Sequence, residues 1–298
     1  MKVATHDGSF HADDVFAVAA LSLTSSEPLE IVRTRDRAVL DACDARVDVG
    51  LRDDPATSDF DHHQKGGAGK RPNGIPYASF GLVWRAHGTA LCGGDERAAS
   101  EVDARLVQGV DAIDTGVALT KPLIGSVRPM DLTDLVDQFN PSWDEETSPE
   151  DRLARFHAAV DVAAGVLRRR IAAAQSRSRA HTRVLEAIRT AEDPRVVVLE
   201  EPLPGHEPVV TGAPEALYVV YPKTDGWGVQ AVPAELGTFV NRKPLPESWA
   251  GLQAAELAAE TGVEDAVFCH GARFLAVARS RAGVMELVRQ ALAAPLAR

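Results

Sequence analysis

The stretch from residue 2 to residue 21 reads KVATHDGSFHADDVFAVAAL and has three parts. Lys2–Thr5 is typical of a first strand, His6–Asp14 is a polar loop, and Val15–Leu21 has the apolar character of a helix. A strand, a loop and a helix in this order form a βα unit, whose loop opens at the carboxyl edge of the sheet, where ligands bind. Two histidines and three carboxylates crowd the loop, and a cation among them would balance their charges. The alternative is that one of the two aspartates before Val15 only caps the helix.

The first half of the chain continues this alternation of strand and helix. The predicted strands are Glu30–Thr34, Arg46–Val49 and Ala56–Phe60. The predicted helices are Asp14–Leu23, Arg37–Ala42, Ser79–Ala86 with its end at Gly88, and Arg97–Val110. This βαβ pattern predicts an α/β fold, with a parallel sheet covered by helices on both faces.

The second half predicts a helix and then a smaller α/β region. Thr147 and Glu150 have the spacing of a capping box and predict the start of a long helix, with or without a break, that ends at Arg189. The predicted strands that follow are Arg195–Glu200, Ala216–Tyr221, Gly228–Val232, Ala266–Cys269 and Phe274–Ala278, with helices at Gly251–Glu260 and Gly283–Ala294. We therefore expect three parts: a metal-binding domain over 1–145, a helical connector over 146–192 and a C-terminal α/β domain over 193–298.

Asp61, His62 and His63 directly follow one of the predicted strands. Adjacent imidazoles at a strand end point in different directions, so one can bind a metal while the other faces a substrate or a second metal. A surface loop that carries two histidines is the alternative, because a motif is a hypothesis until its context agrees.

Two further carboxylate positions fit the same interpretation. Asp48 lies near the end of the strand pattern Arg46–Gly50, although a lone aspartate there is also a common turn residue. Asp111 and Asp114 are three residues apart, so they share a face if the preceding helix continues through them. A solvated helix end is the alternative for this pair.

Composition limits the class of protein. The 298 residues are enough for two domains, and 45% hydrophobic with 25% charged residues is ordinary for a globular protein. The three cysteines are unevenly spaced and form no Cys-x-x-Cys pair, which argues against a disulfide framework or a thiolate zinc site. No apolar stretch approaches the roughly 20 residues that span a bilayer, and no signal-type core follows Met1. We therefore expect a cytoplasmic protein without a membrane partner.

The net charge of −11 argues against general adhesion to nucleic acid. Part of that charge belongs to the candidate metal carboxylates, and two divalent cations would offset four units of it. The charge therefore leaves a local nucleotide or oligonucleotide site open.

The four clusters together resemble the DHH phosphoesterase superfamily, in which four short motifs bind two divalent cations. The pattern His6, His11 and Asp13 in the first motif resembles one branch, the melanocyte-proliferating-gene exonuclease family of metal-dependent hydrolases. Nearly the whole chain carries similar motifs: FDHHQ at 60–64, Ser79 with GLVW at 81–84, VDAID at 110–114, FNPSW at 139–143, NRKPLPESWAGL at 241–252, and FCH at 268–270 with Arg273 and Phe274. The stretch KGGAGKR at 65–71 and the large Phe80 depart from the longer-known members.

The resemblance implies a role for each cluster. The expected metal ligands are His6, His11, Asp13, Asp48, His62 and Asp111, with Asp48 as the bridge between two cations. His63 would orient the scissile phosphate, and Asp61 would fix an imidazole. Mixed histidine and carboxylate ligands favour Mn²⁺, with Mg²⁺, Co²⁺ or Zn²⁺ as alternatives.

The resemblance also implies a substrate loop in the second domain. His270 and Arg273 lie on a predicted tight turn that Gly271 would allow, and a guanidinium can hold phosphate through two hydrogen bonds. A surface hairpin without function is the alternative. With Lys65, these residues are the expected substrate-binding groups, and the expectation leaves a homo-oligomer open.

The expected activity is phosphodiester hydrolysis, as an exonuclease on RNA or short oligonucleotides. A cyclic-dinucleotide or nano-RNA phosphodiesterase and an inorganic pyrophosphatase are the enzymatic alternatives. A metal-stabilised nucleic-acid-binding module without turnover is the alternative from another class.

Overall fold

A computed structural model of the protein describes residues 1–204 and 206–295. The chain forms two compact units, Met1–Ser176 and Arg177–Arg298. The division falls inside one long helix, Pro149–Arg189.

The first unit is built on a five-stranded sheet. In the described residues its strands are β1 (Lys2–Thr5), β2 (Glu30–Arg33), β3 (Ala45–Val47), β4 (Asp53–Asp54) and β5 (Asp59–Phe60). Their order in the sheet is β2-β1-β3-β5-β4, and every pair is parallel except β4 with β5. Because β1, β3 and β5 are parallel neighbours, the residues that follow each of them emerge at one edge of the sheet.

Seven helices belong wholly or partly to this unit. They are α1 (Ala12–Thr24), α2 (Arg37–Asp41), α3 (Ser79–Leu91), α4 (Glu96–Val102), α5 (Gln108–Asp114), α6 (Leu132–Asp137) and the first part of α7 (Pro149–Arg189). Helices α4 and α5 are joined without a break by a π-helical segment, Asp103–Val107. The core of the unit packs α1 against α3, the strands and the first part of α7, with Phe10, Phe16, Phe80 and Phe156 almost fully buried.

Several predicted helix limits in this unit are wrong: α1 begins at Ala12 and not at Asp14, and the helix predicted over Arg97–Val110 continues to Asp114. Two further limits have a local cause. Helix α3 continues past Gly88 to Leu91 because Gly88 is a packing position: a Cβ there would lie 2.6 Å from the Trp84 ring. Helix α7 starts at Pro149 because Ser148 forms the cap with Asp151, each accepting the other's backbone N–H. The predicted capping box at Thr147 is therefore one residue early, whereas the predicted end at Arg189 is confirmed.

The second unit has its own five-stranded sheet. Its strands are β6 (Val196–Val198), β7 (Tyr218–Lys223), β8 (Gly226–Ala231), β9 (Ala266–Cys269) and β10 (Leu275–Ala278), in the order β6-β7-β8-β10-β9. Among the described strands of this unit, only β6 and β7 pair in parallel. The helices are α8 (His206–Gly212), α9 (Ala254–Thr261) and α10 (Arg281–Ala293). The expected α/β class is thus confirmed in both units.

No helix within the described ranges combines the length and the apolar character needed to cross a bilayer.

Candidate metal centre

Histidines and aspartates follow the three neighbouring strands at one edge of the first sheet. His6 follows β1, Asp48 follows β3, and Asp61-His62-His63 follows β5. The backbone N–H of Asp48 donates to the carbonyl of Phe60 at 3.0 Å, which fixes the second strand end against the third. Since neighbouring strands are about 4.8 Å apart, this topology alone brings these side chains together.

Asp48 lies at the middle of the cluster and faces both sides of it. One carboxylate oxygen, Oδ2, is 3.3 Å from Nε2 of His6, and the other, Oδ1, is 3.3 Å from Nε2 of His62. The residue has φ +55, a left-handed conformation that aspartate tolerates better than most side chains. A carboxylate that offers one oxygen to each of two histidine groups has the arrangement of a bridging ligand.

A first group of candidate ligands consists of His6, His11 and Asp48. One ligand atom from each lies within 4.8 Å of the others. His11 is the residue that precedes α1, and its backbone N–H donates to Asp14 Oδ1 at 2.9 Å. The polar loop of the first βα unit therefore supplies this side of the cluster.

A second group surrounds Nε2 of His62. It lies 3.3 Å from Asp48 Oδ1, 3.3 Å from Asp114 Oδ2 and 3.7 Å from Asp13 Oδ2. Three carboxylates from a strand end and two helices thus converge on one imidazole nitrogen.

Several buried polar atoms in this cluster have no hydrogen-bond partner. They include Nε2 of His6, Oδ1 of Asp13 and Oδ2 of Asp14. His6 Nε2 is 3.3 Å from Asp14 and Asp48 but makes a well-formed hydrogen bond with neither. Buried polar groups are normally paired or bind metals, and mixed imidazole and carboxylate donors suit divalent ions such as Mn²⁺ or Zn²⁺. The donor set therefore fits divalent cations.

Burial and neighbouring charges shift the pKa values of several groups in the cluster. Burial and the neighbouring carboxylates, chiefly that of Asp48, raise the pKa of Asp13 well above its ordinary value. Burial also disfavours the charged form of His6, but the carboxylates of Asp14 and Asp48 outweigh it and raise the pKa of His6 to about 9. For Asp48 itself, burial disfavours the charged form, but the nearby imidazoles of His6, His62 and His63 outweigh it and lower the pKa of Asp48. A divalent cation at this position would stabilise the same carboxylates.

Helix α3 begins against the carboxylates of the cluster. The Ser79 hydroxyl donates to Asp48 Oδ1 at 2.9 Å, and the Ser79 backbone N–H donates to Asp13 Oδ2 at 3.3 Å. Ser79 is fully buried. One residue thus orients a carboxylate from each ligand group, and no pattern in the sequence singles it out for that role.

The structure does not bring Asp111 into the cluster. Its Oδ2 accepts from Arg71 NH1 at 2.7 Å, and its Oδ1 accepts from the Gly81 backbone N–H at 3.0 Å. A Cβ at position 81 would lie 1.9 Å from that carboxylate, so only glycine allows this approach. Asp114, one turn further along α5, lies next to His62 and Asp13 instead. Asp111 itself forms a buried ion pair with Arg71.

His63 is held by Asp61 at the exposed side of the cluster. Asp61 Oδ1 accepts from both the backbone N–H of His63, at 3.0 Å, and its ring Nδ1, at 2.8 Å, while Oδ2 accepts from the Leu51 N–H. The His63 side chain is 55% exposed although Asp61 is buried. The same Nδ1 also lies 3.3 Å from Asp48 Oδ1, and His63 forms a further set of potential metal ligands with Asp48 and His62.

The other expected substrate groups lie apart in the chain. Lys65 is exposed in the turn after His63. His270 and Arg273 lie in the second unit, on the turn between β9 and β10. Arg273 has φ +59, so it adopts the left-handed conformation of this turn itself. The expected tight turn thus has its left-handed residue at Arg273 and not at Gly271. The turn is fixed by His270, whose Nδ1 accepts from the Ala272 N–H at 3.0 Å.

A comparison with known protein families places the metal centre and both units within one family match. The model of the MYG1_exonuc family, described as "Uncharacterised protein family (UPF0160)", matches residues 2–292. The chain belongs to this family. The expected membership of the MYG1 exonuclease family is thus confirmed.

Relatives cover the chain from end to end. An MYG1 protein of Schizosaccharomyces pombe is 31% identical over 99% of this chain and 98% of its own length. An MYG1 exonuclease of Bos taurus is 32% identical over 98% of this chain and 84% of its own, and an MYG1 protein of Chlamydia muridarum is 31% identical over 98% and 96%. Among solved structures, RecJ with Mg²⁺ from Thermus thermophilus aligns with 99% of this chain and 50% of its own, at 13% identity and a TM-score of 0.29.

Proposed function

We propose that this MYG1-family protein is a metal-dependent phosphodiester hydrolase that uses two divalent cations and removes nucleotides from the end of a nucleic acid strand. The single observation that carries the proposal is the position of Asp48, whose Oδ2 faces His6 and whose Oδ1 faces His62, while His11 has ligand atoms within reach on both sides. The printed names of several relatives, MYG1 exonuclease, support the same class of reaction.

Each ligand group would hold one cation. His6, His11 and Asp48 would hold the first, and Asp13, Asp48, His62 and Asp114 the second. Asp114 replaces the expected Asp111 because Asp111 is already neutralised by Arg71. When bound, a pair of such cations neutralises phosphate charge and lowers the pKa of a shared water.

Other residues of the chain would orient the metal ligands and bind the substrate. Ser79 holds the Asp48 and Asp13 carboxylates in place through hydrogen bonds, which restricts the positions that ligands can adopt. His63, fixed by Asp61, presents its free ring nitrogen at the exposed side of the cluster, where it would donate to an oxygen of the scissile phosphate. Arg273 and His270 of the second unit, and Lys65 beside His63, would bind substrate phosphates.

The metal identity and the substrate are part of the same proposal. The mixed nitrogen and oxygen donors favour Mn²⁺ over a thiolate-preferring or purely oxygen-coordinated ion. An end-labelled RNA, the matching DNA, a cyclic dinucleotide and pyrophosphate should be incubated with the purified chain and Mn²⁺. We expect release of mononucleotides from RNA or short oligonucleotides, loss of activity with a chelator, and recovery when Mn²⁺ is returned.

The same assay separates the alternatives. Turnover of pyrophosphate alone would indicate a pyrophosphatase, and turnover of the cyclic dinucleotide alone would indicate a cyclic-dinucleotide phosphodiesterase. Metal binding without turnover of any of the four substrates would contradict the proposal and favour a non-catalytic nucleic-acid-binding module.

A further inference from the structure

His11 is the most exposed member of the first ligand group. Its side chain is 57% exposed, whereas the side chains of His6 and Asp48 are 7% and 3% exposed. A metal ligand needs a fixed position, and packing restricts an exposed side chain less than a buried one. The main chain that carries His11 therefore has to be held by other contacts.

Asn140 holds the residue immediately before His11. Its side-chain Oδ1 accepts from the Phe10 backbone N–H at 3.1 Å, and its Nδ2 donates to the Phe10 carbonyl at 2.8 Å. One amide group thus pairs with both main-chain polar groups of Phe10, as the opposite residue of an antiparallel strand would. The His11 backbone N–H donates to Asp14 Oδ1 at 2.9 Å. The peptide group that joins Phe10 to His11 is therefore held at both its carbonyl and its N–H.

This pair of hydrogen bonds requires the chemistry of an amide. A carboxylate at position 140 could accept from the Phe10 N–H, but it could not donate to the Phe10 carbonyl. It would also bring a negative oxygen towards Asp137, whose Oδ1 is 3.4 Å from Asn140 Nδ2. Asn140→Asp is thus a nearly isosteric change that keeps one of the two bonds to Phe10 and removes the other.

Asn140 is itself fixed by the segment that follows α6. Its backbone N–H donates to the carbonyl of Asp137 at 3.0 Å, and Pro141, the next residue, restricts the backbone of Asn140 to extended conformations. Helix α6 packs against α1, which begins after His11, and against α5, which carries Asp114. The Asn140 amide thus follows an element that contacts two helices of the metal centre.

The rest of the loop is attached through Phe10 and Gly8. The Phe10 ring is buried and lies edge-on to the ring of Phe156 in α7, with the ring centroids 5.3 Å apart. Arg33 NH2 donates to the Gly8 carbonyl at 2.5 Å, and the Arg33 guanidinium carbon lies 5.0 Å from the centre of the Phe10 ring. These contacts hold the segment from Gly8 to Phe10, and Asn140 holds its end next to His11.

We infer that Asn140 is a positioning residue for the first cation: it holds the main chain before His11, so that this imidazole stays within reach of the other ligands of the first group. Residues that orient metal ligands typically contribute 10- to 100-fold to metal affinity or activity. The inference rests on the proposed function, because it assigns Asn140 to one of the two proposed cation sites. The cation held around His62 should depend much less on Asn140.

Titration of the full chain with Mn²⁺, followed through the electron paramagnetic resonance signal of the free ion, measures the binding of each cation. Wild type should bind two ions per chain. Asn140→Ala and Asn140→Asp should each weaken the binding of one ion by about 10- to 100-fold and hardly change the other. Hydrolysis by both variants should recover when the Mn²⁺ concentration is raised, whereas a misfolded chain would not recover.

Two variants of the first unit serve as matched controls. Val136→Ala removes buried volume from α6, four residues before Asn140, and lowers the free energy of unfolding without removing the amide. Asn73→Ala removes an asparagine whose Nδ2 donates to the Gln108 side chain and not to a ligand loop. Both variants should bind two Mn²⁺ ions as wild type does.

Hydrogen exchange of the metal-free chain gives a measurement that needs neither metal nor activity. The Phe10 amide proton should exchange faster in Asn140→Ala, because its acceptor is removed. It should stay protected in Asn140→Asp, which keeps that acceptor, and in Asn73→Ala.

The inference is overturned if Asn140→Ala binds both Mn²⁺ ions as tightly as wild type, or if Val136→Ala weakens the same ion to the same extent, since the loss would then follow from stability alone. Hydrolysis by wild type together with unchanged Mn²⁺ binding by Asn140→Ala would overturn this inference and leave the proposed function intact. Selective weakening of one ion in Asn140→Ala, with no hydrolysis of any phosphodiester by wild type, would support the role of Asn140 and contradict the proposed function.

Discussion

The two units bury polar groups in different ways. In the second unit, the buried Lys243 ammonium donates to the carbonyls of Leu292 and Ala294, both at 2.8 Å, and so completes the end of a helix. In the first unit, seven residues have a buried polar side-chain atom without a partner, and three of them, His6, Asp13 and Asp14, meet in the metal centre. Among the described residues of the second unit, only His181 has such an atom.

This difference distinguishes buried polar groups that stabilise the fold from those that are available to a ligand. A buried polar group with all its hydrogen bonds stabilises a fold, whereas one left without partners costs free energy of roughly 1–3 kcal/mol. Such groups are expected where a ligand provides their hydrogen bonds or charge partners. We therefore expect the catalytic groups in the first unit and supporting, substrate-binding groups in the second. The predictions below test that division, from the largest expected effect to the smallest.

The largest effect should come from Asp48. Asp48→Asn removes the charge that both ligand groups share, so we expect hydrolysis to fall by well over 100-fold, more than the 10- to 100-fold typical of residues that only support metal ligands. His63→Ala should stay within that smaller range, because His63 acts on the substrate. Rates with Mn²⁺ and metal content per chain check this. Equal rates for the two variants, with metal content unchanged, would refute the bridging role.

Asp111 and Asp114 should respond in opposite ways. Asp114→Asn should lose activity and one metal while the free energy of unfolding hardly changes. Asp111→Asn should lower that free energy by about 3 kcal/mol, since it leaves the buried Arg71 with only Asp103 as a charged partner. Urea denaturation with metal analysis of both variants decides the matter. Loss of metal in Asp111→Asn with an unchanged free energy of unfolding would show that Asp111 is a metal ligand.

Ser79 should matter for activity more than for stability. Ser79→Ala removes the hydroxyl that holds Asp48, so hydrolysis should fall about 10- to 100-fold. Unfolding should become easier by only about 1 kcal/mol, the net value of an ordinary hydrogen bond. Ser79→Thr keeps the hydroxyl and serves as the control. If Ser79→Ala and Ser79→Thr have the same rate, the hydroxyl does not position the carboxylate.

The smallest effect on kcat should be that of Arg273 in the second unit, which would act on substrate binding. Arg273→Ala should weaken oligonucleotide binding by about 1.5–3 kcal/mol, the value of a hydrogen bond to a charged group, with both metals retained. The loss in kcat/KM should be greater for an oligonucleotide than for a small nitrophenyl phosphodiester. Equal fractional losses on the two substrates would show that this turn is a hairpin without a role in binding.

Strand ends were the most predictable part of the site. His6, Asp48 and His62 each follow an alternating or apolar run, and the carboxyl ends of parallel strands must meet at one edge. The α/β class followed from the same alternation. Short strands were less predictable: β5 has only Asp59 and Phe60, because Pro55–Thr57 forms a 3₁₀ turn.

The helical contributions were harder to foresee. A π-helical segment at Asp103–Val107 precedes α5, and the additional residue in such a turn rotates everything that follows. The face that Asp111 and Asp114 present therefore cannot be counted from the upstream periodicity. Ser79 is among the family motifs, but its contact with Asp48 was missed for another reason: α3 begins beside Asp48, which is more than 30 residues away in the chain.

The number of metal ions per chain tests the central claim most directly. Crystals or solutions of the full chain saturated with Mn²⁺ should contain two ions per chain, by anomalous scattering or elemental analysis, with one near His6 and His11 and the other near His62 and Asp114. Asp48→Asn should lower the count. A single ion at saturation, with wild-type occupancy in Asp48→Asn, would contradict the dinuclear centre.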